Sequence, residues 1–228
     1  LALTAAPPAQ GDAAPDLILW SENAIAWPLD LAHGALTYIS EAAAGTPVVL
    51  GVQRRDDMAY YNSAVLLGPD AEVVQTYDKH HLVPFGEYIP FGDVLGRIGL
   101  RGMAAQFGSG FSSGPGADLM DLGPLGQALP LICYEAVFAR DVNAAPARPA
   151  FLMQLTNDAW FGKGQGPLQH LAQARMRAIE QGLPMARVAN TGVSAMIDPW
   201  GRITKSLALN EAGFLDAPLP APRPATPY

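Results

Sequence analysis

Residues 128–135 read Ala-Leu-Pro-Leu-Ile-Cys-Tyr-Glu. A short apolar run stops at a cysteine, and a carboxylate follows two residues later. Runs of this length bounded by turn or helix signals read as buried strands. Ala128–Cys133 is therefore a strand feeding a helix at about 135–143. Downstream, Phe151–Leu155 reads as a strand, about 167–181 as a helix, and Arg187–Ala189 and Val193–Ile197 as further strands. Asp198-Pro199-Trp200-Gly201 then turns a hairpin into about 202–208. Upstream, Leu17–Trp20 and Pro47–Val52 are strand runs around a helix at about 30–44. Tyr60–Leu67 and Glu72–Tyr77 flank the turn signal Gly68-Pro69-Asp70. Strands interleaved with helices and joined by hairpins imply a mixed α/β sheet with helices packed against it.

Composition bounds the function. The 228 residues are 50% hydrophobic and 15% charged. At roughly 150–250 residues per α/β domain, this is one domain with a sizeable core and not a disordered chain. Fourteen Lys and Arg against 21 Asp and Glu give a net charge of −7, which argues against a nucleic-acid binder. One cysteine and four scattered histidines exclude an intrachain disulfide and disfavour a structural zinc site. No apolar run approaches the ~18–20 residues of a membrane span, and no leader pattern opens the chain. The chain begins at Leu1, as an excised piece would. Both ends, 5–15 and 217–227, are rich in Ala and Pro and read as linkers.

Three reactive groups stand just beyond strands. Glu22 follows Leu17–Trp20, Lys79 follows the strand ending near Tyr77, and Cys133 ends its own strand. In α/β sheets, sites gather at the carboxyl ends of strands. A thiol needs its proton removed before it attacks, a carboxylate can take that proton, and a buried ammonium can hold an oxyanion. The backbone N–H of Tyr134, at the strand-to-helix turn, is a second oxyanion donor. Each residue alone has a plainer reading: a small buried hydrophobe, a loop acid, an exposed charge. The pair His80-His81 and the lone His170 read as structural, and Arg175, Arg177 and Arg187 as partners of core acids or of a phosphate headgroup.

The local contexts decide between these readings. Chain order and spacing of Glu22, Lys79 and Cys133 resemble the Glu-Lys-Cys triad of the nitrilase superfamily, the carbon–nitrogen hydrolases. More narrowly, His81-Leu82-Val83-Pro84-Phe85-Gly86-Glu87, Ile132-Cys133-Tyr134-Glu135 and Asn157-Asp158-Ala159-Trp160-Phe161-Gly162 resemble the periplasmic catalytic domain of the apolipoprotein N-acyltransferase family. So do the stretch from Gln169-His170 to Ala174-Arg175-Met176-Arg177-Ala178, and Asn190-Thr191-Gly192-Val193-Ser194-Ala195. The resemblance spans about 17–205. Ser21 departs from the family's usual proline in Trp-Pro-Glu-Asn.

The resemblance implies an α-β-β-α sandwich truncated at its N-terminal strand, with membrane helices expected on either side. Residues 1–16 would be a first-helix remnant, 17–210 the catalytic domain, and 211–228 a linker. It further implies Cys133 as nucleophile, Glu22 as general base and Lys79 as oxyanion stabiliser. Glu87, Tyr134 and Glu135 would support the thiol, and Trp160 and Phe161 would line a lipid-facing part of the pocket. No metal or cofactor is required. The implied reaction moves an acyl chain from a phospholipid, through a Cys thioester, to the amine of a diacylglyceryl-cysteine lipoprotein, at the periplasmic side of a bacterial inner membrane. The glycine- and phenylalanine-rich stretch Phe85–Gly116, with Phe91, Met103, Phe107 and Phe111, reads as a loop that meets the membrane surface. The alternatives are a soluble amidase or carbamoylase, and a silent binding domain. A catalytic thiol is expected to titrate below the ordinary ~8.5.

Overall fold

Period-two alternation fixes which way each strand faces. In β2 (Val48–Asp56), Val49 packs on one side while Val48, Leu50 and Val52 pack on the other. In β6 (Gln127–Ile132), Ala128 and Ile132 share the side of Val49, and Leu129 and Leu131 face away. In β7 (Phe151–Asn157), Phe151, Met153 and Leu155 point inward and Leu152 outward. Strands apolar on both faces need a cover on both faces, and this is what the chain provides.

The computed structural model describes residues 1–8, 13–90 and 110–228. One sheet has the order β1-β2-β3-β4, with β1 Ile18–Leu19, β3 Ala59–Leu67 and β4 Val73–Asp78. The other has the order β10-β9-β8-β7-β6-β5, with β5 Met120–Asp121, β8 Met185–Asn190, β9 Ser194–Ile197 and β10 Ile203–Leu207. β1 pairs parallel with β2, and β6, β7 and β8 run parallel; the other neighbours are antiparallel. The sheets meet through Val49, Ala64, Leu66 and Tyr77 of the first and Ile132, Phe151, Met153 and Leu155 of the second.

Helices cover the outer faces. α1 (His33–Ala43) buries Leu36, Ile39, Ser40 and Ala43, spaced for one helical face, onto the outer side of β2 and β3. α2 is short (Ala139–Asn143); α3 (Gly166–Gln181) buries Leu171, Ala174 and Ala178 against Leu129, Leu131 and Leu152. The small side chains Ala174 and Ala178 let α3 approach the sheet closely. The result is the expected α-β-β-α sandwich, with four strands in one sheet and six in the other among the described residues.

Local departures have physical causes. The helix expected at 135–143 is split into a 3₁₀ turn, Cys133–Val137, and α2, because Phe138 is extended between them. β2 runs on to Asp56 and returns through Asp57-Met58, with Asp57 at φ 49°. That hairpin is hidden in the sequence because its strands turn polar at Gln53–Asp56 and no Gly or Pro marks the turn. Residues 211–228 lie along the domain: Leu219 packs on the inter-sheet core, and the Arg223 N–H donates to the Gly182 carbonyl at 2.8 Å. Among the described residues, no helix is long and apolar enough to cross a membrane.

A close backbone approach sets the position of Glu22. Gly51 lies under the turn that carries this residue; a Cβ there would sit 2.6 Å from both the Glu22 Cα and the Ser21 carbonyl oxygen. Gly51→Ala must displace that turn and should cost about 1–3 kcal/mol in denaturant unfolding. Wild-type stability and activity in this variant would mean that the turn is not locked.

Candidate active site

β1 and β4 are the two edges of one sheet and β6 belongs to the other, and the segments that follow them bring Glu22, Lys79 and Cys133 into one buried cluster. All three are nearly sealed, at 4%, 1% and 8% exposure. The Lys79 Nζ donates to Glu87 Oε1 at 2.8 Å and lies 3.8 Å from Glu22 Oε1. Asn62, on β3, bridges the two acids: its Nδ2 donates to Glu22 Oε1 at 2.7 Å and to Glu87 Oε1 at 3.0 Å. The second oxygen of Glu22 accepts the Asn157 N–H at 2.8 Å, and that of Glu87 the Val83 N–H at 2.8 Å. Cys133 lies within electrostatic reach of both Glu22 and Lys79, with Thr156 beside it.

The electrostatics arise from one cation shared by two acids. Burial opposes the charge on Lys79, but Glu22 and Glu87 outweigh it and hold the ammonium charged, above its ordinary value. Burial, together with Glu87, raises the Glu22 carboxyl against the pull of Lys79 and its hydrogen bonds. Burial and then Glu22 push the Cys133 thiol up to about 12, with Lys79 and Thr156 opposing. This reverses the expectation of a low-titrating thiol. Burial is the largest cause, and Lys79 offsets only part of what burial and Glu22 together impose on a thiolate. The resting site stores S–H beside a carboxylate of raised basicity, an arrangement suited to general-base attack.

The backbone contributes too. Cys133 is left-handed, at φ 51°, in a region that costs a non-glycine residue about 1–3 kcal/mol. Glu135 is wholly buried and ties this turn to the segment after Lys79. Its Oε2 accepts the Ile132 N–H at 2.8 Å; its Oε1 accepts the Tyr77 hydroxyl at 3.0 Å and the His80 N–H at 2.8 Å. The Tyr134 ring packs on His81 and Phe138, with centroids at 5.0 and 4.8 Å. Trp160 and Phe161 are surface residues, 66% and 45% exposed, on a 3₁₀ turn after β7. Of the loop read from Phe85 to Gly116, Phe85 is exposed and the Phe111 N–H donates to the Glu87 carbonyl at 2.8 Å; Phe91, Met103 and Phe107 lie outside the described residues.

Several contributors are not singled out by the sequence. Asn62 looks like an ordinary strand residue. Behind Cys133, Gln154, Asp158, His170 and Arg187 form a buried polar cluster. Arg187, read from sequence as a partner of a core acid or of a phosphate headgroup, pairs with Asp158, while Gln154 shows only as a lone amide inside the apolar run Phe151–Leu155. His170, expected to pack or cap, places Nδ1 2.8 Å from Asp158 Oδ1.

The profile of the family described as Carbon-nitrogen hydrolase matches residues 9–223. The chain belongs to the carbon-nitrogen hydrolase family. Its relatives include proteins named apolipoprotein N-acyltransferase from Sinorhizobium fredii, 44% identical over 98% of this chain and 44% of the relative. One from Bradyrhizobium diazoefficiens is 43% identical over 93% of this chain and 41% of the relative. The chain thus spans less than half the length of these relatives. Among solved structures, an amidase from Nesterenkonia sp. AN1, with acrylamide added at its active-site cysteine, has a TM-score of 0.61 at 18% identity, covering 86% of this chain and 76% of that one. A carbon-nitrogen hydrolase from Helicobacter pylori G27 has the same TM-score at 17% identity, covering 86% of this chain and 74% of that one. These two likenesses speak to the fold.

Glu22→Gln removes the negative charge that raises the thiol. Its Cys133 should therefore titrate lower than wild type in iodoacetamide labelling across pH, while acylation falls by about 10²–10⁴ for want of a base. A thiol that titrates higher in this variant, or retained acylation, would contradict the charge arrangement.

Proposed function

We propose that this domain transfers a fatty acyl chain from a phospholipid to the terminal amine of a diacylglyceryl-cysteine lipoprotein. Supporting the reading is the joint occupancy of one sealed pocket by Glu22, Lys79 and Cys133, in a chain more than 40% identical to proteins bearing that name. In the first half-reaction the Cys133 sulfur bonds to the ester carbonyl carbon as Glu22 takes the thiol proton. The Lys79 ammonium and the Tyr134 N–H face the developing oxyanion. The carbon–oxygen bond then breaks, Glu22 returns the proton to the departing oxygen, and lysophospholipid leaves a thioester on Cys133.

In the second half-reaction the amine nitrogen bonds to the thioester carbonyl, Glu22 takes the amine proton, and the carbon–sulfur bond breaks. The proton returns to sulfur and an amide is released. The same carboxylate serves both directions because its raised basicity lets it hold a proton briefly between steps. Glu87 and Asn62 keep Lys79 charged and aimed, and Glu135 holds the Cys133 turn against the Lys79 segment. Exposed Trp160 and Phe161 offer apolar contact beside the site, suited to an acyl chain or a bilayer surface. In this reading the domain works at a membrane, on the periplasmic side of the inner membrane.

A soluble amidase would run the same chemistry with water as acceptor, so acyl donor and acceptor discriminate. Incubating the full-length protein with phospholipid vesicles should add one fatty acyl mass, labile to hydroxylamine and mapped to Cys133, and absent in Cys133→Ala. Hydrolysis of short polar amides with no such adduct would overturn the reading. Lys79→Met should slow adduct formation by about 10²–10³, the usual worth of an oxyanion donor.

A further inference from the structure

The cluster behind Cys133 is held together tightly. The Gln154 Nε2 donates to the Cys133 carbonyl oxygen at 3.3 Å, and the His170 Nε2 lies 3.2 Å from that oxygen. The Gln154 Oε1 accepts from Arg187 Nη1 at 2.5 Å, which fixes which end of the amide faces Cys133. Arg187 also donates through Nη2 to Asp158 Oδ2 at 2.6 Å and through Nε to the Val193 carbonyl at 3.2 Å. Asp158 takes further bonds from Thr156 Oγ1 at 3.1 Å and His170 Nδ1 at 2.8 Å. Arg187 and Asp158 have no exposed side-chain surface.

Such a pair is expensive to bury, and apolar residues of similar volume usually stabilise as well or better. Two of the cluster's members, Gln154 and His170, reach the same backbone carbonyl, that of Cys133. A trans peptide is planar, and its C=O and N–H point in opposite directions. No cis peptide is present among the described residues, so the Cys133 carbonyl and the Tyr134 N–H belong to one trans unit. Holding that carbonyl toward the cluster aims the Tyr134 N–H the other way. Tyr134 lies in the first turn of a 3₁₀ segment, where a helix offers its N–H no partner.

We propose that Gln154, oriented by Arg187 and Asp158, is a positioning residue that aims the Tyr134 N–H at the reacting carbonyl and holds Cys133 in its left-handed conformation. The inference rests on the acyl-transfer reading for its reaction class, but not for the identity of the acyl donor. Gln154 never touches substrate. It acts through the peptide plane that follows the nucleophile.

Two probes of Cys133 separate this role from a merely structural one. Acylation by p-nitrophenyl acetate builds an oxyanion and uses the donor; alkylation by iodoacetamide builds none. In the full-length protein, Gln154→Met deletes the amide at similar volume, and Arg187→Lys keeps the charge beside Asp158 while releasing Gln154. In each variant that melts as wild type does, acylation should fall tenfold or more while alkylation stays within twofold and KM for the ester is unchanged. An unchanged ratio of the two rates in a folded variant, or an equal loss of both, overturns the proposal. Phospholipid is run in parallel. Wild-type protein that reacts with the nitrophenyl ester but not with phospholipid defeats the donor assignment alone and leaves the positioning result standing.

Discussion

A single ammonium shut away from water between two carboxylates is the constraint on which the site depends. Lys79 is 1% exposed, and an uncompensated charge there would cost several kcal/mol. Glu87 compensates it at 2.8 Å, and Glu22 stands 3.8 Å away as a second acid. One positive and two negative groups leave an excess of negative charge, and that excess falls on Glu22. Burial first, and then that excess, raises the basicity of Glu22 and keeps the neighbouring thiol protonated. In the proposed reaction such a site moves a proton during attack and stores no thiolate beforehand.

The fold makes this arrangement with elements far apart in sequence. β3, the residue after β4, the 83–87 turn and the end of β7 each contribute one hydrogen-bonding group to the two acids. Because the second sheet supplies Cys133 and the Asn157 N–H, the inter-sheet core sets their distance from Glu22, and a shift of one sheet over the other would part them from the acid. The acid–amine–thiol arrangement itself does not choose an acceptor. Function lies in what surrounds such a site, and Trp160 and Phe161 stand exposed on the turn after β7.

Much of this is legible from sequence. Glu22, Lys79 and Cys133 each sit just past an apolar run, and strand ends are where α/β sheets place chemistry; their convergence comes from the topology. The strand pattern alone gives a mixed α/β sheet covered by helices, and the α-β-β-α sandwich comes with the family resemblance. Less can be read where polar residues meet only in three dimensions. Asn62 sits mid-strand, 40 positions from the Glu22 it bridges. Arg187 reads as a partner of some core acid, but Asp158 is 29 positions away, and sequence does not say that the pair lies behind Cys133. The titration of Cys133 runs against expectation because sequence names the neighbours of a thiol but not how completely burial outweighs the ammonium among them.

The S–H stretching band of Cys133 tests the central claim most directly. A wild-type minus Cys133→Ser infrared difference spectrum at neutral pH should contain that band in the resting protein and lose it when an acylating ester is added. Its absence at rest, with the sulfur already a thiolate beside Lys79, would contradict a site in which Glu22 takes the proton only as the bond to carbon forms.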